Sequence, residues 1–164
     1  MNQKLKDFFS ARNLVYGAMI AAIYAALTLV LAPISFADVQ MRVSEALTIL
    51  PVLTSVAIPG LTAGCLLANI LGVSMGLTTV WDIVFGTLAT LLAAIGTRLL
   101  RKKPVLAALC PVVSNGLIVG TMLSVTLNLP LLLTMGSVAL GEAVVCLVLG
   151  LLLLTALKKA NLFK

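Results

Sequence analysis

Six long apolar runs, at residues 14–32, 43–58, 60–73, 80–98, 104–124 and 130–157, occupy most of the chain. The breaks between them carry helix-ending residues. Ala32-Pro33-Ile34-Ser35 ends the first run, and Ile58-Pro59-Gly60 separates the second from the third. Gly72 to Thr79 is rich in Gly, Ser and Thr; Arg101-Lys102-Lys103-Pro104 divides the fourth run from the fifth; Asn128-Leu129-Pro130 opens the sixth. Pro and Gly at such places mark helix ends. A membrane helix needs about 20 apolar residues, so the pattern predicts an all-α integral membrane protein with six transmembrane helices. The third run is short and reads as tilted or joined to its neighbour. On this division residues 1–13 are a cytoplasmic tail, 14–157 a six-helix membrane domain and 158–164 a second cytoplasmic tail.

Composition strengthens the picture. Of 164 residues 62% are hydrophobic and 10% charged, too much apolar surface for a soluble domain to hide. Six helices would use roughly 120 residues, which leaves no room for a soluble domain. The N-terminus imitates a signal peptide, with Ser35-Phe36-Ala37 resembling a cleavage site. Its apolar run is too long for a signal core, so the first helix is read as retained. The net charge of +6 could suggest nucleic acid, but the cations flank apolar runs. Ten of the eleven Lys and Arg residues fall in three clusters: Lys4, Lys6 and Arg12; Arg98, Arg101, Lys102 and Lys103; Lys158, Lys159 and Lys164. An even number of helices with both termini in the cytoplasm puts all three clusters inside, as the positive-inside rule requires, and leaves only Arg42 outside. Their contact is with the bilayer and its anionic heads, not nucleic acid.

The acids are placed differently. Four of the five, Asp38, Glu45, Asp82 and Glu142, lie beyond the N-terminal tail and sit at or within apolar segments, where carboxylates are costly and mark a ligand site or pathway. Asp38, Arg42 and Glu45 can share one helical face, either as a salt-bridged helix entrance or as ligand contacts. Asp82 can cap the fourth helix or meet a ligand. Asn69 and Asn115 are interhelical hydrogen-bond glue or ligand contacts. Glu142 has the weakest bland explanation: it follows Gly141 amid Ala and Val, about 18 Å along the sixth helix from Pro130, with no basic residue within a turn. Trp81 and Phe36 are interfacial anchors or stacking platforms for a flat heterocycle.

The first helix carries another pattern. Ala18, Ala22 and Ala26 recur every four residues beside Gly17, Ala21 and Ala25, which lets another helix approach closely. That helix belongs either to this chain or to a partner. Cys65, Cys110 and Cys146 lie in apolar segments without a CxxC pair and there is no His, so neither a metal nor a disulfide is expected. The chain has no GxxxxGK[ST] loop, GxSxG elbow or Ser/His pair, so no enzyme, and no cofactor, is expected.

The run Val39-Gln40-Met41-Arg42-Val43-Ser44-Glu45-Ala46-Leu47-Thr48 resembles a motif of the queuosine-precursor transporter (QueT) family. Further matches are Ile58-Pro59-Gly60, Gly64-Cys65-Leu66-Leu67-Ala68-Asn69, Asp82 to Thr90, Asn115 to Gly120 and Ala139-Leu140-Gly141-Glu142. They run in order across residues 14–157. Met41 departs from the pattern, standing where relatives carry an aromatic residue. The resemblance implies a substrate-binding S component of an energy-coupling factor (ECF) importer in the bacterial plasma membrane. Its implied partners are an ECF transmembrane coupling subunit, which docks on Ala18, Ala22 and Ala26, and two ATPase subunits. The implied substrate is a 7-deazaguanine, 7-aminomethyl-7-deazaguanine. On this reading Glu142 or Glu45 takes the guanine edge, Asp82 the aminomethyl group, and Asn69 and Asn115 add polar contacts. Arg42 holds Glu45 ionised, and Trp81 is a stacking candidate. The rival readings are an S component for another flat vitamin, thiamin or pyrimidine-like, a membrane assembly protein without a ligand, and a solitary transporter or channel.

Overall fold

The structure, a computed structural model, describes residues 10–36 and 41–160. Helix α1 (Ala11–Val30) starts where the Ser10 hydroxyl accepts from the Asn13 N–H, at 3.4 Å, satisfying one of the free donors of the first turn. A further turn follows at Ala32–Ser35. The second apolar run does not make a membrane-length helix. It forms α2, Val43–Val52, wound as a 3-10 helix with Pro51 inside it. At about 2.0 Å per residue ten such residues reach roughly 20 Å, short of a bilayer core of about 30 Å. The break then falls at residues 53–56 instead of Ile58-Pro59-Gly60. Pro59 lies in the first turn of α3 (Ala57–Ser74), where its missing N–H costs nothing.

The later runs match expectation more closely. They become α4 (Asp82–Leu99), α5 (Pro104–Leu127) and α6 (Leu131–Lys159). Pro104 stands at the first turn of α5, and Asn128 ends it in the left-handed conformation at φ 54°, which Asn tolerates better than most residues. Among the described residues five helices are thus long and apolar enough to cross a membrane, and α2 is a shorter apolar helix. Helix α2 runs parallel to α4: Arg42 meets Asp82 at one end, and Arg98 donates to the Pro51 carbonyl at the other, 3.0 Å.

Gly17 packs on Val56, and Leu157 packs on the cluster that holds Ile20. The start of α1, the end of α2 and the end of α6 therefore share one end of the bundle. Arg12, Arg98, Arg101, Lys102, Lys103, Lys158 and Lys159 gather there. Lys4, Lys6, Lys164 and Asp38 lie outside the described residues. The surface is inverted relative to a water-soluble fold: Val30, Leu99, Val125 and Leu132 are exposed, while Arg42, Glu45, Asp82 and Glu142 are buried. That arrangement suits a hydrocarbon surrounding.

Small residues close the α1–α3 contact. A Cβ on Gly64 would lie 2.8 Å from the Ala21 carbonyl oxygen and 2.8 Å from the Tyr24 Cβ. The two small-residue stripes of α1 divide accordingly. Ala21 and Ala25 are buried and Gly17 is half-buried on the α3 side, whereas Ala18, Ala22 and Ala26 are exposed.

Candidate functional site

Three irregular stretches converge inside the bundle. The 3-10 segment α2 supplies Glu45, with Arg42 immediately before it. A π-wound turn at Asp82–Gly86 opens α4, and a second, Val144–Gly150, follows Glu142 in α6. Such π turns widen the helix locally and often occur at functional sites. Around them stand Tyr24 of α1, Cys65 and Asn69 of α3, Thr90 of α4 and Asn115 of α5.

The cluster has two connected parts. In the first, Arg42 pairs with Asp82 Oδ1 at 3.0 Å, and the guanidinium carbon lies 5.5 Å from the Phe36 ring centroid. The hydroxyls of Thr78 and Thr79 donate to Asp82 Oδ2 at 2.6 and 3.1 Å. Asn69 Nδ2 donates to the Asp82 carbonyl at 2.7 Å. Gly86 packs closely here: a Cβ would meet Asn69 Nδ2 at 2.9 Å and Arg42 Nη1 at 3.4 Å. In the second part, Glu45 Oε1 accepts from the Tyr24 hydroxyl and from Thr90 Oγ1, the latter at 3.1 Å. The Cys146 thiol lies 3.6 Å from both Glu142 Oε2 and the Glu45 carbonyl. Asn115 lies beside both glutamates.

Two readings from the sequence change here. Arg42 is salt-bridged to Asp82, 40 positions away, and not to Glu45. Asp82 does not cap α4 as its N-cap; that position is Trp81. Of the residues expected to bind a ligand, Arg42, Glu45, Asn69, Asp82, Asn115 and Glu142 come together. Trp81 does not join them. It is 55% exposed and faces Phe85, with ring centroids 6.1 Å apart. These two rings line an outward cleft of about 620 Å³ with Leu117, Ile118, Met122 and Val125. A perimeter groove with those walls suits acyl chains and offers no charged group to orient a polar ligand. The buried cluster is therefore the candidate site. Tyr24, Thr78, Thr79, Thr90, Cys65 and Cys146 join it without having been singled out as ligand contacts. Cys146 had a usable signal, since it lies one helical turn after Glu142.

Chemically the cluster is acidic and incompletely paired. It holds three carboxylates and one cation, and that cation is already engaged with Asp82. Glu45 is 0% and Glu142 2% exposed. Four buried polar atoms of this cluster, Arg42 Nε, Glu45 Oε2, Asn69 Oδ1 and Asn115 Nδ2, make no hydrogen bond of good geometry within the protein, although Asn115 lies near both glutamates. Each such atom costs about 1–3 kcal/mol, so together they mark a place built to meet further polar groups. A family model, that of the QueT transporter, matches residues 14–159. The chain belongs to the QueT transporter family. No curated protein and no solved structure matches it. Family membership and the inverted surface together make this QueT-family chain a membrane transport protein.

Proposed function

We propose that this QueT-family protein is the substrate-binding S component of an ECF importer in the bacterial plasma membrane, and that it captures 7-aminomethyl-7-deazaguanine from outside. One observation carries the reading: three carboxylates are buried around a single arginine, with unpartnered polar atoms on Glu45, Asn69 and Asn115. A site with surplus acid and mixed donors and acceptors selects a ligand that is cationic and rich in N–H groups. The aminomethyl group provides the cation, and the guanine edge provides adjacent donors that a carboxylate accepts as a fork.

Asp82 has both oxygens engaged, so we assign ligand recognition first to Glu142 and Glu45. Asn115 and Asn69 read the ring carbonyl and nitrogens, and the Arg42–Asp82 pair walls one side. Both termini are cytoplasmic, because the seven described cations other than Arg42 collect at the end where the chain starts and finishes. The exposed Ala18, Ala22 and Ala26 stripe faces the coupling subunit, and ATP is hydrolysed by the two ATPase subunits.

The test is binding of 7-aminomethyl-7-deazaguanine to the purified, detergent-solubilised protein, with guanine and thiamin as controls. Tight binding that guanine does not match is expected. Equal binding of guanine, or none of the three by a folded sample, would refute the substrate. Docking is tested separately: Ala22→Leu should retain ligand binding and lose assembly with the coupling subunit.

A further inference from the structure

The basic end of the bundle contains a second, unrelated feature. A cleft of about 480 Å³ opens between the start of α5 and the end of α6, lined by Pro104, Leu151, Leu154, Thr155, Lys158 and Lys159. Its α6 wall follows from spacing. Leu151 and Thr155, Leu154 and Lys158, and Thr155 and Lys159 are each four apart, so they stack along one helical face. The floor is apolar, with Leu154 buried, while both lysines are exposed at the rim. Lys102 and Lys103 precede Pro104 on the opposite side.

Among the described residues nothing nearby balances this charge. The described acids Glu45, Asp82 and Glu142 all belong to the buried cluster, and among the described residues the one ion pair is Arg42–Asp82. The cleft thus joins an apolar wall, continuous with the lipid-facing surface through the exposed Leu152, to an uncompensated cationic rim at a helix end. We propose that it binds an anionic phospholipid, with an acyl chain along Leu151 and Leu154 and the headgroup phosphate between Lys158 and Lys159. The lysines also extend their own methylene stems over the apolar floor. Basic recesses between helix ends hold anionic headgroups by this combination of charge and burial. A free anion would gain nothing from the leucine wall, which is why the lipid is the chosen occupant.

The test compares phosphatidylglycerol with phosphatidylcholine on the delipidated full-length protein by native mass spectrometry. Each lysine contributes roughly fivefold in affinity, so Lys158→Gln/Lys159→Gln should weaken phosphatidylglycerol binding about 25-fold. The matched control Arg12→Gln/Arg101→Gln removes two exposed cations outside the cleft and should change it less than threefold. All four positions are exposed, so neither variant cuts into the core, and thermal unfolding of both checks that they fold. Equal losses in the two variants would show diffuse surface charge and overturn the site. Equal binding of the two lipids would overturn it as well, as would full displacement by millimolar inorganic phosphate.

Discussion

Replacing Asp82 with Asn separates two roles for this carboxylate. The side chain is buried and accepts from Arg42 at 3.0 Å, Thr78 at 2.6 Å and the Thr79 hydroxyl at 3.1 Å. Asn keeps the shape and one acceptor but removes the charge. Arg42, only 3% exposed, is then a buried cation without a counterion. Breaking a buried pair in this way costs about 3–5 kcal/mol, and the Phe36 ring recovers only about 0.5–2 kcal/mol of it. Arg42→Gln should cost a similar amount, because it strands Asp82. The double variant Arg42→Gln/Asp82→Asn leaves two amides able to bond each other and should be less destabilised than the sum of the singles by at least about 2 kcal/mol. Equilibrium unfolding in mixed micelles, followed by near-UV circular dichroism without ligand, reads all three variants. Additive losses, or an Asp82→Asn cost below about 1 kcal/mol, would show that the pair does not hold the bundle. A variant of unchanged stability that loses discrimination for the aminomethyl group would return Asp82 to the role of ligand carboxylate.

Further predictions concern single atoms of the site and of the helix contacts. Glu142→Gln should weaken 7-aminomethyl-7-deazaguanine binding about 10- to 150-fold, the value of a hydrogen bond to a charged group, while leaving the unliganded protein no less stable; calorimetric titration and thermal unfolding check the two halves. Gly86→Ala drives a Cβ towards Asn69 Nδ2 at 2.9 Å and should cost about 1–3 kcal/mol together with ligand affinity, both measurable on one detergent sample. Gly64→Ala, against the Ala21 carbonyl at 2.8 Å, should cost a similar amount, whereas Gly136→Ala meets nothing within 4 Å and should be neutral or stabilising by up to about 1 kcal/mol; unfolding midpoints that rank the two the other way would refute the close α1–α3 contact.

Helix ends were legible wherever one residue type decides the backbone. Pro104 begins α5 because its missing N–H falls among donors that are free anyway, and Asn128 ends it because it accepts a positive φ. The same rule misled at Pro59, since a proline can either break a helix or sit in its first turn. The 3-10 winding of α2 was not legible, because Val43-Ser44-Glu45-Ala46-Leu47-Thr48 reads equally well as an α-helix. Buried acids could be found from their cost in an apolar run, and six of the seven residues singled out as ligand contacts converge. Their partners could not be found that way. The Arg42–Asp82 pair spans 40 positions, and Tyr24 reaches Glu45 across 21. Trp81 and Asp82 are adjacent in sequence yet face outward and into the core respectively, as the roughly 100° step between neighbours on a helix allows.

The π turn at Asp82 belongs to a wider pattern. A regular α-helix places side chains on a fixed 3.6-residue spiral and uses every interior N–H and C=O, so it offers a buried ligand only side-chain atoms. The 3-10 segment carries Glu45, one π turn begins at Asp82, and the other starts two residues after Glu142. Each irregular stretch therefore lies at a carboxylate of the buried cluster, whereas α5, which brings the uncharged Asn115, stays α-helical along its length, its interior Pro111 leaving the Ala107 carbonyl to accept from Thr97 Oγ1 at 3.1 Å. Irregular winding weakens local hydrogen bonding and has to be held by its surroundings. Here the surroundings are Tyr24 and Thr90 on Glu45, Cys146 on Glu142, and Arg42 with two threonines on Asp82. The hydrogen bonds that fix the acids also fix the distorted backbone that carries them. Under the proposed function, a ligand at Glu45 or Glu142 would meet the least regular parts of α2 and α6.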